Sequence, residues 1–287
     1  MNYLHLSALF AVPFLLLSCS TTPKFTSQFS NPEITPSGTA NLESYMGQAD
    51  AERHSVEGLA FYVTNDSDNL YLMVDFVSAL YFQQAKEFGF TLYVDSPSNV
   101  KRSFGVTFPT GLYYELGHFP GAQSGYIEEP NWDNFPENQA LMESAERNMT
   151  RQALISRRQS RSDNTQPTPI RLSQLQAQNL LIHFSDDDRS GRISFTIPLE
   201  TRPTSQFSPD IQPGEEVDIG FEINPIRLFN LDSRGSVPLI ASDPSGGRSQ
   251  TQSEERQQQQ ERLMRIMRRI GGEPYEQWVK ILIAEPE

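Results

Sequence analysis

The stretch from Leu59 to Phe76 constrains this chain more than any other. Leu59-Ala60-Phe61-Tyr62-Val63-Thr64 stops at the polar cluster Asn65-Asp66-Ser67-Asp68-Asn69. Leu70-Tyr71-Leu72-Met73-Val74-Asp75-Phe76 then resumes the apolar run. Aromatic and β-branched side chains fit a pleated surface, and Asn and Asp hydrogen-bond their own backbone in tight turns. Two such runs across an Asn/Asp cluster predict a β-hairpin.

The same signature recurs along the chain. Gly89-Phe90-Thr91-Leu92-Tyr93-Val94-Asp95 ends at Ser96-Pro97-Ser98, and Ser103 to Pro109 reads as the next strand. Leu180 to Phe184 and Arg192 to Leu199 flank a turn from Ser185 to Gly191. Val217 to Ile223 and Glu276 to Ile283 follow, and Trp278 with its aliphatic neighbours is expected inside the sheet. A short helix is expected at Ala79 to Glu87. A longer one is expected from Asn138 to about Arg158, where Leu141, Ala145, Met149 and Ala153 keep a four-residue spacing. Residues 110 to 136 read as an aromatic loop and 159 to 169 as a polar, mobile stretch.

Residues 232 to 252 are rich in Ser, Gly, Pro and Gln and predict disorder. Glu254 to Ile270 predicts a helix with the stripe Leu263, Ile266, Met267 and Ile270, ended by Gly271-Gly272. Short, evenly spaced strands with polar turns indicate an all-β, jelly-roll-like β-sandwich. The expectation is one domain over 37–287, with insertions at about 133–169 and 232–272.

Several of these strands resemble a sandwich family related to family 9 carbohydrate-binding modules. The segments are Asn69-Leu70-Tyr71-Leu72, Gly89 to Asp95, Phe104 to Pro109, Phe195-Thr196-Ile197-Pro198-Leu199, Ile219-Gly220-Phe221-Glu222 and Trp278-Val279-Lys280. The resemblance covers roughly residues 56–109, 180–223 and 275–284. It implies a sandwich and a non-catalytic binding role.

The N-terminus carries an address. An apolar run from near Tyr3 ends in Leu16-Leu17-Ser18-Cys19, and Cys19 is the only cysteine. The run suits a secretory signal and is short for a membrane-spanning helix. A small residue followed by Cys at its end resembles the lipobox of bacterial lipoproteins. That resemblance implies a signal peptide over residues 1–18, cleavage before Cys19 and diacylation of its thiol. At about 0.8 kcal/mol per buried methylene, two acyl chains anchor stably. Ser20 stands where inner-membrane retention uses Asp, so the expectation is the outer membrane, facing the periplasm. Residues 19 to 36 read as a flexible tether.

Composition narrows the partners. The formal charge is −13. No basic surface is large enough to exchange for phosphate counterions, so nucleic acid is excluded as a partner. With one cysteine the mature chain has no internal disulfide, so stability must come from a core built on 18 Phe, 10 Tyr and 2 Trp.

Candidate chemistry is sparse. Three dispersed histidines, His54, His118 and His183, form no zinc or catalytic motif. Asp186, Asp188 and Ser190, followed by Gly191 and Ile193, reproduce the first half of an EF-hand loop and suggest a weak Ca²⁺ site. Position twelve is Ile197 rather than Glu, so the match is partial. Residues 112–135 hold Tyr126, Trp132 and Asp133 beside Glu128 and Glu129. Flat rings that stack on pyranoses, with carboxylates to bond hydroxyls, make Tyr126, Trp132 and Asp133 the candidate ligand residues. The resulting expectation is a lipid-anchored envelope protein that binds glycan and does no catalysis. The alternatives are an envelope scaffold without a small-molecule ligand and a hydrolase with an unrecognised carboxylate pair.

Overall fold

The hairpin forms as its alternation requires. Strand β4 (Leu59–Asn65) pairs antiparallel with β5 (Asn69–Phe76), from Leu59 opposite Phe76 to Asn65 opposite Leu70. Asp66 builds the turn between them. Its Oδ1 accepts the N–H groups of Asp68 and Asn69 at 2.7 Å each, and its Oδ2 accepts the Tyr71 hydroxyl at 2.7 Å.

The computed structural model describes residues 22–29, 52–97, 100–129, 131–160, 166–187, 190–223 and 274–286. Among these the strands form two sheets, a β-sandwich. The remaining strands are β1 (Lys24–Thr26), β2 (Gln28–Phe29), β3 (His54–Val56), β6 (Thr91–Asp95), β7 (Phe104–Thr107) and β8 (Gln152–Arg157), then β9 (Thr168–Arg171), β10 (Leu181–Asp187), β11 (Ser190–Pro198), β12 (Glu216–Ile223) and β13 (Tyr275–Leu282). A seven-stranded sheet has the order β1-β13-β12-β6-β7-β8-β9. A six-stranded sheet has the order β10-β11-β5-β4-β2, with β3 also on β4.

The inward rows are continuous apolar stripes. Phe61 and Val63 on β4, Leu72 and Val74 on β5 and Phe195 on β11 face Ile219 and Phe221 on β12 and Val279 on β13, all buried. Phe61 meets Phe221 at 5.3 Å between ring centroids, and Phe76 meets Phe90 at 5.3 Å. Each such side chain contributes about 1.5–3 kcal/mol by leaving water. Helix α1 (Ala79–Phe88) packs on β5, β11 and β12 and adds Phe82, Ala85 and Phe88 to the same core. Ser78 caps it by accepting from the Tyr81 N–H. Gly191 leaves the room: a Cβ there would stand 1.9 Å from the Phe82 ring.

Three expectations are corrected. The residues read as an aromatic loop fold as helices α2 (Leu112–Leu116) and α3 (Ala122–Glu128) and a 3-10 turn (Trp132–Asn134). The helix expected to about Arg158 is α4 (Pro136–Met149), which stops nine residues short of it and is followed by β8. Leu141, Ala145 and Met149 do share its packed side, but Ala153 sits in the sheet core. The free edge of β7 offers Leu154 to Arg157 a ladder, and tertiary pairing overrides the spacing. The insertion expected at 133–169 therefore contains a sheet strand.

The third correction is the tether. Residues 24–29 join both sheets: β1 runs parallel to β13, and β2 parallel to β4. The signal segment with Cys19, the expected disorder at 232–252 and the helix at Glu254 to Ile270 lie outside the described residues.

Candidate functional site

The outward face of the seven-stranded sheet is organised around two glycines. The strand register sets one row across five strands: Trp278 on β13, Gly220 on β12, Tyr93 on β6, Gly105 on β7 and Ser156 on β8. A Cβ on Gly220 would stand 2.7 Å from the Trp278 ring, and one on Gly105 would stand 2.7 Å from the Tyr93 ring. Lacking those carbons, both glycines let the neighbouring rings lie down on the sheet. The two rings are 5.9 Å apart with planes 17° from parallel. Tyr93 is buried, whereas Trp278 stays half-exposed.

Polar groups hold the indole in place. Trp278 Nε1 donates to Glu276 Oε1 at 2.7 Å. Arg102 Nη2 pairs with Glu276 and with Glu222 at 2.9 Å each, and its guanidinium lies 5.5 Å from the centre of the Tyr93 ring. Arg102 itself adopts a left-handed backbone, φ 58°. Buried Asp95 stabilises that turn by accepting the N–H groups of Arg102 and Ser103 at 2.6 Å each. Burial pushes the Asp95 carboxyl above its ordinary range, against those hydrogen bonds. On the other side of Trp278, Lys280 Nζ pairs with Asp218 at 2.9 Å and Glu216 at 3.2 Å, and Lys24 pairs with Glu216 at 3.0 Å. Hydrogen bonds from Lys24 and Lys280 hold the Glu216 carboxyl below its usual range. Those from Asp218 and Glu216 raise the Lys280 ammonium.

Such a face offers one flat aromatic surface ringed by fixed donors and acceptors. That combination suits a ring with an apolar face and an equatorial belt of hydroxyls. Glu222 and Glu276 form a carboxylate pair, but Glu222 is 2 % exposed and both are ion-paired to the same guanidinium nitrogen. A substrate cannot reach the two together.

The residues expected to bind ligand lie elsewhere. Trp132 is 5 % exposed and belongs to a small satellite core with Leu112, Leu116, Ala122, Ala145 and Met149. Its ring rests on Gly125, where a Cβ would stand 2.2 Å from Nε1. Tyr126 packs edge-on against it at 6.1 Å and donates its hydroxyl to Glu87 at 3.2 Å. Asp133 is the middle residue of the 3-10 turn beside them, half-buried. The structure brings the three together as a packed cluster, and Trp132 has no ring face to offer a sugar. The strand of Trp278 does pair inside the sheet, between β1 and β12, and Trp278 is the tryptophan that meets solvent. A readable signal existed: Trp278 lies between charged Glu276 and Lys280 in the outward phase, while Tyr275, Val279 and Ile281 hold the buried inward phase.

The calcium expectation meets a similar correction. Asp186 pairs with Gly191 and Asp187 with Ser190 in the β10–β11 ladder. Alternation puts Asp186 and Ser190 on opposite faces, so one ion cannot take both side chains. Asp186 is instead paired with Lys86 at 2.8 Å, and Asp188 lies outside the described residues. Among the described residues, no group of three or more His, Cys, Asp or Glu is placed to hold a metal. Cys19 also lies outside them.

No family model and no curated protein matches this chain. Two solved structures are similar to it. One is a candidate carbohydrate-binding protein from Bacteroides uniformis, at TM-score 0.36 and 8% identity, over 70% of this chain and 84% of that one. The other is a family 9 carbohydrate-binding module from Caldicellulosiruptor kristjanssonii in complex with glucose, at TM-score 0.31 and 8% identity, over 69% of this chain and 76% of that one. At those scores neither likeness carries an argument about the ligand or the family of this chain. The sandwich class rests on its own strand pairing.

Proposed function

We propose that this chain is a lipid-anchored envelope protein whose sandwich binds glycan on the outer face of the seven-stranded sheet, with Trp278 as the stacking ring. One observation carries the binding half: a half-exposed indole laid flat over Gly220 and pinned through its N–H to Glu276. Glu276, Asp218, Arg102 and Lys280 stand around it to bond hydroxyls. The anchoring half rests on Leu16-Leu17-Ser18-Cys19. Outer-membrane residence on the periplasmic side belongs to the same reading. Because β1 begins at Lys24, five residue steps after Cys19, the sandwich would sit within about 18 Å of its acyl chains.

One ring and a few hydroxyl bonds give micromolar to millimolar affinity, about −4 to −8 kcal/mol. The test must register weak binding. Ligand-observed NMR with cell-envelope and plant oligosaccharides on the soluble domain does so. Trp278→Ala should weaken the oligosaccharide signal while the cooperative melt survives. An unchanged signal in that variant removes Trp278 from the site. For the anchor, Cys19→Ala should abolish palmitate labelling and release the protein from membranes. Unchanged labelling overturns that half alone.

A further inference from the structure

A second concavity lies at the rim of the six-stranded sheet. It is an open cleft of about 340 Å³, at the small end of the range for small-molecule sites, about 300–1,000 Å³. Three segments meet there: the Asp66–Asn69 turn, the residues leading into β10 and the chain from the end of β11 to Ser205. Tyr71, Leu181 and Pro198 supply apolar wall.

Local hydrogen bonds set this cleft in place before any ligand arrives. Asp66, itself 7 % exposed, holds both the turn and the Tyr71 hydroxyl. Leu199 N–H donates to the Asp68 carbonyl at 2.9 Å, tying β11 to the turn. Arg202 and Ser205 exchange backbone hydrogen bonds at 2.9 and 3.1 Å. Asn179 takes a left-handed backbone, φ 59°, and donates its side-chain amide to Ser205 Oγ at 3.2 Å. Arg202 is held between Asp68 at 2.8 Å and Glu200 at 3.7 Å.

The polar groups left to a ligand are mixed. Arg202 keeps N–H donors beyond those its carboxylates use, and Asp68 and Glu200 keep lone pairs. Thr196 is 7 % exposed, lines the cleft and makes no side-chain hydrogen bond among the described residues. Asn69 adds an amide that both donates and accepts. Two carboxylates against one guanidinium leave a net negative charge, on a chain already at −13. An anionic ligand is therefore repelled. Alternating donors and acceptors over an apolar wall fit a neutral ring whose hydroxyls each donate and accept. Tyr71 is 2 % exposed, so no ring stacks here and the ligand is held by its hydroxyls alone.

We propose that this cleft is a second binding site, for one neutral polyhydroxylated ring such as a terminal hexose, on the opposite sheet from Trp278. The proposal deepens the glycan reading and rests on it for the source of the ring. Two sites on opposite sheets would let one chain engage two glycan ends, which multiplies residence without new contacts.

Ligand-observed NMR with glucose, galactose, mannose and glucuronate on the wild-type domain tests it. At least one neutral hexose should give signal at millimolar concentration, and glucuronate should give none. The signal should persist in Trp278→Ala. In Arg202→Ala it should weaken about tenfold, the worth of one hydrogen bond to a charged group. Thr196→Val keeps the shape and removes only the hydroxyl, so it should weaken hexose with an unaltered melt. Loss in Trp278→Ala with retention in Arg202→Ala would overturn the second site and keep the first. Silence from every neutral hexose, or preference for glucuronate, would overturn it outright.

Discussion

Ser27 and Asn65 hydrogen-bond to each other where the two sheets meet, Ser27 Oγ donating to Asn65 Oδ1. Both are buried. Ala284 N–H donates to Ser27 Oγ at 2.8 Å, and Asn65 Nδ2 donates to the Ala284 carbonyl at 2.9 Å. Three distant parts of the chain thus close one seam between β1 and β2. Asn65→Leu removes the acceptor of the Ser27 hydroxyl and the donor to the Ala284 carbonyl, at about 1–3 kcal/mol for each group left unpaired. Urea denaturation should register a loss of that size with an unchanged m-value. A loss below a few tenths of a kcal/mol would mean that the seam is open to water.

The two tryptophans should separate by solvent access. In Trp132→Phe the remaining indole, Trp278, should be quenched readily by acrylamide. In Trp278→Phe the remaining Trp132 should be shielded. Trp132→Ala should cost about 3–5 kcal/mol, as a large ring leaving a packed cluster does, and Trp278→Ala clearly less. The reverse order of quenching would show the β13 alternation to be out of phase.

Gly220 is the position that lets Trp278 lie flat. Gly220→Ala puts a carbon 2.7 Å from the indole and must lift it. Any signal that depends on Trp278 should weaken in Gly220→Ala. Once Trp278 is already Ala, adding Gly220→Ala should change little. A double-mutant cycle reads this as coupling well above the 0.3–0.5 kcal/mol scatter of independent sites. Simple additivity would detach the glycine from the ring.

His54 ties the N-terminal strand to the core, with its ring 4.3 Å from Phe25 and 5.2 Å from Phe61. Burial lowers its pKa below 6.5, and Glu52 opposes the shift. The folded state therefore binds this proton less readily than the unfolded chain. The stability involved is fully present above pH 6.5 and is lost as pH falls through the depressed folded value. The melting temperature should drop between pH 7 and pH 5 more steeply in wild type than in His54→Phe. Parallel pH profiles would remove His54 from the linkage.

The β4–β5 hairpin, α1, β11, β12 and β13 were legible because each carries its own period and its own punctuation. Period-two alternation with an Asn/Asp turn needs no knowledge of the rest of the chain. β8 was not legible. Its residues continue the four-residue spacing of α4, and only the free edge of β7 turns them into a strand. β1 and β2 were hidden for a like reason: three and two residues make ladders only because β13 and β4 present edges to them.

Sequence by itself determined the sheet class, the turn chemistry and which residues share a side of each strand, since these follow from backbone geometry over a few residues. Tertiary structure decided how far each ring is covered. The Trp132 ring is covered because α3 and α4 fold over it. The Trp278 ring lies over Gly220 and is half-open. Burial is a property of what packs against a residue, and the packing partners of both tryptophans come from separate strands and helices of the chain.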